Sequence, residues 1–164
     1  MPWVDSTNAL AAGNESPRYA QGIQIYAATA TTLPVVGSIC IVKTPYTQST
    51  GGDTNAGPAV VLHAVKCPAA GSKEIVGVCV GGSSLGTDPV AGGMVMVCTT
   101  GVATVLFQVT ATAGDQCIAT TAHAGKGKSA ATPTLGKTVG VILQTKDAVT
   151  PPVTVGIPVL VRIV

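Results

Sequence analysis

Charge is what this 164-residue chain most conspicuously lacks: Asp, Glu, Lys and Arg together make up 10% of it, against roughly 25% in an ordinary soluble domain. The net charge is +2, and Lys126 and Lys128 form the one close basic pair, with no aromatic residue beside them. That is far from the concentrated positive field a phosphate backbone requires, so nucleic acid is not an expected partner. Aromatics are also scarce at 3%, which excludes a thick core built on large rings and favours thin β layers of Val, Ala and Ile. Polar or glycine residues interrupt every apolar run before ~18 residues, and Met1-Pro2-Trp3-Val4-Asp5 carries no basic leader. Neither a membrane nor a secretion route is expected, and synthesis in the cytoplasm is.

Reactive groups are few and scattered. The five cysteines at 40, 67, 79, 98 and 117 form no C-x-x-C pair, so a metal knuckle is not expected. Cys40, Cys79 and Cys98 sit inside runs of Val, Ile or Met and read as small buried hydrophobes with inert thiols. Of the two histidines, His63 lies among Val60, Val61, Leu62 and Val65, and His123 lies in a glycine-rich stretch. A nucleophile pair of His63 with a cysteine has no orienting carboxylate nearby in sequence, so packing is the better reading. The seven carboxylates stand singly, mostly in turns, where Asp accepts hydrogen bonds from backbone amides. Gly81-Gly82-Ser83-Ser84-Leu85-Gly86 precedes no helix-like segment, so it reads as a hairpin connection and not as a phosphate cradle. No enzyme, cofactor or metal is expected.

What the chain has in quantity is short β runs punctuated by glycine. Val35–Lys43 carries apolar residues on both faces, as strands do when covered on each side. Further strands are expected over 59–66, 74–80, 93–99, 102–109, 116–120, 137–145 and 153–164, with Thr100-Gly101 as a tight hairpin turn between two of them. Pro158 marks an edge, a bulge or a break in the last. Val36-Gly37, Val76-Gly77 and Val139-Gly140 echo one another, as do Ala91-Gly92-Gly93 and Ala113-Gly114-Asp115, but their unequal intervals give no single repeat period. Pro45 to Pro58 reads as a projecting loop. Residues 1 to about 22 are rich in Asn, Ser, Ala, Gly and Pro without any period, and read as an arm. Ordering it costs about 1–2 kcal/mol per residue, which a neighbouring surface must offset. Residues 22–32 are expected to continue that arm or to add a strand to a neighbour's sheet.

Five stretches, in order, carry a resemblance: Glu74-Ile75-Val76-Gly77-Val78, Val90-Ala91-Gly92-Gly93-Met94-Val95, Thr100-Gly101-Val102-Ala103-Thr104-Val105, Ala113-Gly114-Asp115 and Thr138-Val139-Gly140-Val141-Ile142-Leu143. Together, over residues 33 to 164, they resemble the capsid decoration (cement) proteins of tailed bacteriophages. The resemblance implies a small β-barrel-like body that trimerises on the outer surface of the virion head and clamps major capsid protein subunits, with no catalytic residues. The expectation is therefore an all-β fold, a barrel or sandwich-like body over 33–164 behind an extended arm over 1–32. Its function would be a non-enzymatic capsid stabiliser that binds the major capsid protein and itself, as a homotrimer. Trp3, Arg18, Tyr19 and Tyr26 are the expected contact anchors, since large aromatics and Arg dominate binding hot spots. The alternative is a head-fibre base or an adhesin that displays a host-binding surface.

Overall fold

A computed structural model describes residues 20–28, 32–47, 60–66, 75–120, 123–133, 138–147 and 156–164, with backbone only at 20–21, 43–47 and 60–66. The described residues hold nine strands and no helix, so the fold is all-β: β1 (Ala20–Ala28), β2 (Ile39–Thr47), β3 (Val60–Lys66), β4 (Ile75–Gly81), β5 (Met94–Phe107), β6 (Gln116–Ala119), β7 (Gly127–Ala130), β8 (Thr138–Ile142) and β9 (Ile157–Ile163). One hydrogen-bonded sheet runs β1-β3-β2-β4-β5-β7-β6-β8-β9, with β1 and β9 each also pairing with β5. The pairings therefore trace two closed circuits of five strands. The first is β1-β3-β2-β4 with the first half of β5; the second is the other half of β5 with β7-β6-β8-β9. We call these unit 1 and unit 2.

The two units share one topology and one register. In each, the first strand lies parallel to the third and antiparallel to the fifth, and the second pairs with both the third and the fourth. Ile39↔Val78, Cys40↔Gly77 and Ile41↔Ile75 in unit 1 answer to Gln116↔Val141, Cys117↔Gly140 and Ile118↔Thr138 in unit 2, with a register shift at the same step. Cys40↔Lys66, Ile41↔Val65 and Val42↔Ala64 answer to Cys117↔Ser129, Ile118↔Lys128 and Ala119↔Gly127. Even the turns before β2 and β6 match: Gly37 N–H donates to Cys79 O at 2.8 Å and Gly114 N–H to Ile142 O at 2.9 Å, while Cys79 N–H donates to Ser38 O and Ile142 N–H to Asp115 O. Gly37 and Gly114 have φ of 89° and 90°. The molecule is an internal duplication.

The echo in the sequence is part of this repeat. Val76-Gly77-Val78 and Val139-Gly140-Val141 are true counterparts, but Gly37 pairs off with Gly114, and Gly92 with Gly156. The close approach of backbones explains why glycine stands at both positions of the first pair: a Cβ on Gly77 would collide with Cys98 O, and one on Gly140 with Arg162 O.

Burial follows the duplication. Inside unit 1 lie Tyr26, Ala28, Cys40, Cys79, Val95 and Val97. Their counterparts Val105, Phe107, Cys117, Ile142, Val159 and Val161 line the interior of unit 2. The other face of the wall made by β2, β4 and early β5 carries Ile39, Val78, Val80 and Cys98, which pack into the unit 2 core. That wall is apolar on both sides, as the run Val35–Lys43 led one to expect. Each fully buried Val or Ile contributes about 1.5–3 kcal/mol, so many small side chains replace a few rings.

Three expectations change. Thr100-Gly101 is no hairpin turn: β5 is a single strand of 14 residues passing straight through it. β1 pairs Gly22 with Thr100 and Ile23 with Cys98, so Thr99 is an extra residue in β5, and Gly101 sits at φ 107°. The extra residue switches the strand's faces. Met96 and Cys98, even-numbered, face the unit 2 core before it, whereas Ala103, Val105 and Phe107, odd-numbered, face it afterwards. Secondly, residues 20–28 of the expected arm form β1, which pairs with β5 of its own chain. Thirdly, residues 45–47 of the expected loop extend β2. Pro158 does meet its expectation: it pairs with Leu106 on one side, at a point β8 does not reach.

Candidate interaction surface

Among the described residues, three cysteines and two carboxylates hold the fold. Cys79 Sγ–H donates to Gly81 O and Cys98 Sγ–H to Thr100 O at 3.2 Å. Burial pushes the Cys79 thiol up to about 12 and the Cys98 thiol to about 11, only partly opposed by those backbone bonds, and burial raises Cys117 as well. A thiol so held is protonated at neutral pH and a poor nucleophile. His63 lies on β3 opposite Lys43 and beside Ala27 in the strand ladder, and His123 is exposed at a turn. Asp88 accepts the Val36 N–H at 2.7 Å, and Asp115 accepts the Ser129 hydroxyl at 2.7 Å while Ser129 Oγ accepts the Thr112 N–H. These carboxylates staple turns, as their positions in the sequence suggested. Among the described residues no three His, Cys, Asp or Glu side chains stand together as a metal site.

The surface features are of another kind. Ile25 is 66% exposed and Ile23 37%, on the face of β1 turned away from Tyr26 and Ala28. Ile25 pairs across with half-buried Met96, and Ala27 with exposed Met94, so the apolar row continues onto β5. Apolar side chains grouped on one exposed sheet face form a candidate contact surface. Leu143 forms a second exposed apolar point at the end of β8.

Of the four expected anchors, Trp3, Arg18 and Tyr19 lie outside the described residues. Tyr26 is inside unit 1 with 8% of its surface exposed, and its hydroxyl donates to Gln24 Oε1 at 2.6 Å. Burial, and the nearby Cys40 thiol after it, raise its phenol above the ordinary value. The row Ile23, Ile25 and Met94 was missed as a surface, though the alternation Ile23-Gln24-Ile25-Tyr26 carries the signal: apolar residues on both faces, only one of which a single barrel can fill.

No protein-family model matches the chain, and no curated protein is similar to it. Among solved structures, the N base of the head fiber gp8.5 of bacteriophage phi29 is similar over 87% of this chain and 95% of that one, at 12% identity and a TM-score of 0.48.

Proposed function

We propose that this chain is a capsid decoration protein, which binds the outside of a tailed-phage head as a homotrimer and stabilises contacts between major capsid protein subunits without catalysing a reaction. The observation that carries the reading is the uncovered apolar row Ile23, Ile25 and Met94 on a low-charge β body whose buried thiols are held protonated. Such a body is suited to being covered by protein. The ordered motifs that resemble decoration proteins supply the head as the site of attachment, and trimeric attachment turns modest contacts into tight ones through effective concentration. Trp3, Arg18 and Tyr19 are our contact anchors on the shell.

The test is to heat stripped heads and heads with the protein added back, and to measure the temperature at which DNA escapes. Addition is expected to raise it, and a triple Trp3→Ala, Arg18→Ala, Tyr19→Ala variant is expected to occupy fewer sites. Full occupancy with no change in that temperature would overturn the stabilising role and suit a head-fibre base or adhesin.

A further inference from the structure

We propose that copies of this chain exchange β1, so that in the homotrimer each unit 1 is closed by the first strand of a neighbouring copy. The inference rests on the self-association proposed above and names the element that carries it.

One connection, residues 29–38, ties β1 to β2, and it holds a strained residue. Among the described residues Thr32 is the one residue other than glycine with a positive φ, 56°. A β-branched side chain is poorly tolerated there, because it crowds the backbone. The neighbours account for the strain. Pro34 is fully buried and Leu33 packs against the unit 1 core. A residue before proline is held extended, so Leu33 cannot share the turn and Thr32 takes the left-handed conformation. The fold itself does not demand this. The connection 108–115, which joins the corresponding strands of unit 2, has Gly114 alone at positive φ, the counterpart of Gly37. Backbone strain of this kind gathers at elements that switch, and short strained hinges favour the exchange of an element between copies.

Exchange preserves the bonds of β1. It pairs with β5 from Ala20↔Gly101 to Ala27↔Met94 and with β3 at Ala27↔His63 and Ala28↔Ala64, and the same strands of a neighbour present the same ladder. Tyr26 and Ala28 then enter the neighbour's unit 1 core beside Cys40, Cys79, Val95 and Val97, which makes Tyr26 an anchor between copies. What changes is Thr32, which is free to extend. Unit 2 has no such freedom, because its first strand is the second half of β5 and is tied at both ends.

The hinge also fixes where the copies meet. The five residues between Ala28 and Pro34 span about 17 Å when extended, so the exchanging molecules face one another at the end of unit 1 where Ala28 lies. The turn at that end, whose Gly93 O accepts the Ala28 N–H at 3.0 Å, carries Val90 at 67% exposure. The donated strand and the site that receives it are different surfaces, so three donations in turn close a ring.

A disulfide across the β1–β5 ladder reads the exchange. Ala28 and Gly93 share a hydrogen bond, so Ile25↔Met96, three steps along, is a non-hydrogen-bonded pair whose side chains stand close enough to be bridged. Ile25→Cys and Met96→Cys are placed together in one chain, in a Cys67→Ser background, and the purified native protein is oxidised gently. Exchange is expected to convert most of the protein into covalent dimers and trimers on a non-reducing denaturing gel. Ile23→Cys, opposite the native Cys98, repeats the reading with one substitution should the double variant not fold by circular dichroism. Thr32→Gly, which removes the strain from the unexchanged form, is expected to raise the concentration at which the trimer dissociates by at least about tenfold in sedimentation. A trimer by mass whose disulfides are all within single chains, or one that Thr32→Gly leaves equally stable, would overturn the exchange while leaving self-association standing. A monomer at every concentration would overturn both.

Discussion

At the scale of single residues, the cysteines give the sharpest expectation. In the unfolded chain a thiol ionises near 9.0, whereas in the folded protein burial holds Cys98 protonated to about 11 and Cys79 to about 12. Between those values the unfolded state has released protons that the native state retains. Rising pH therefore favours unfolding, by up to about 1.4 kcal/mol per pH unit for each such thiol. Below pH 9 stability is expected to be insensitive to these groups, and above it to fall steadily, as denaturant midpoints measured from pH 7 to 11 would show. A thiol reagent at pH 8 should leave Cys79, Cys98 and Cys117 unmodified until denaturant is added. Rapid modification of any of them in native protein would contradict their role as packing groups. For Cys79 and Cys98 this much was legible in sequence, because a Cys flanked by Val on a short strand has few places to point except inward.

At the scale of elements, Gly77 and Gly140 occupy one structural position twice, each facing the backbone carbonyl of its unit's last strand. Gly77→Ala and Gly140→Ala are each expected to destabilise the protein by about 1–3 kcal/mol, since backbone cannot move aside as a side-chain tip can. Chemical denaturation of the two variants would check it. If one proves neutral, the equivalence of β4 and β8 fails there. Most strands were legible from their β-branched runs and glycine boundaries, but β5 was not. Thr100-Gly101 has the composition of a hairpin turn, and what keeps the chain straight is pairing with β1 and β9, which lie far away in sequence at opposite ends of the described chain. The duplication was hidden for a related reason. Cys40 and Cys117 are separated by one interval, Gly77 and Gly140 by a shorter one, because the connections between strands differ in length, so no single period survives. The alternation in β1 shows that one apolar face is left over, but a strand apolar on both sides does not declare which.

At the scale of the whole molecule, the two units are not independent. Ile39, Val78 and Val80 of unit 1 are part of the unit 2 core, and β5 belongs to both. Thermal or denaturant unfolding is therefore expected to be a single cooperative transition, coincident by far-ultraviolet and near-ultraviolet signals. Val97→Ala in unit 1 and Val161→Ala in unit 2 should each lower that same midpoint. Two separable transitions would mean that the shared core couples the units less than their contacts imply.

The unbroken strand through both units also has a mechanical meaning. At 14 residues β5 extends roughly 45 Å, with β1 and β4 paired to its first half and β9 paired along its second. A tug along its axis loads those cross-strand bonds together in shear, instead of peeling them one at a time. If the proposed attachment to a pressurised shell holds, this strand is the molecule's tie rod, placed to carry tension from one end of the body to the other without opening either barrel.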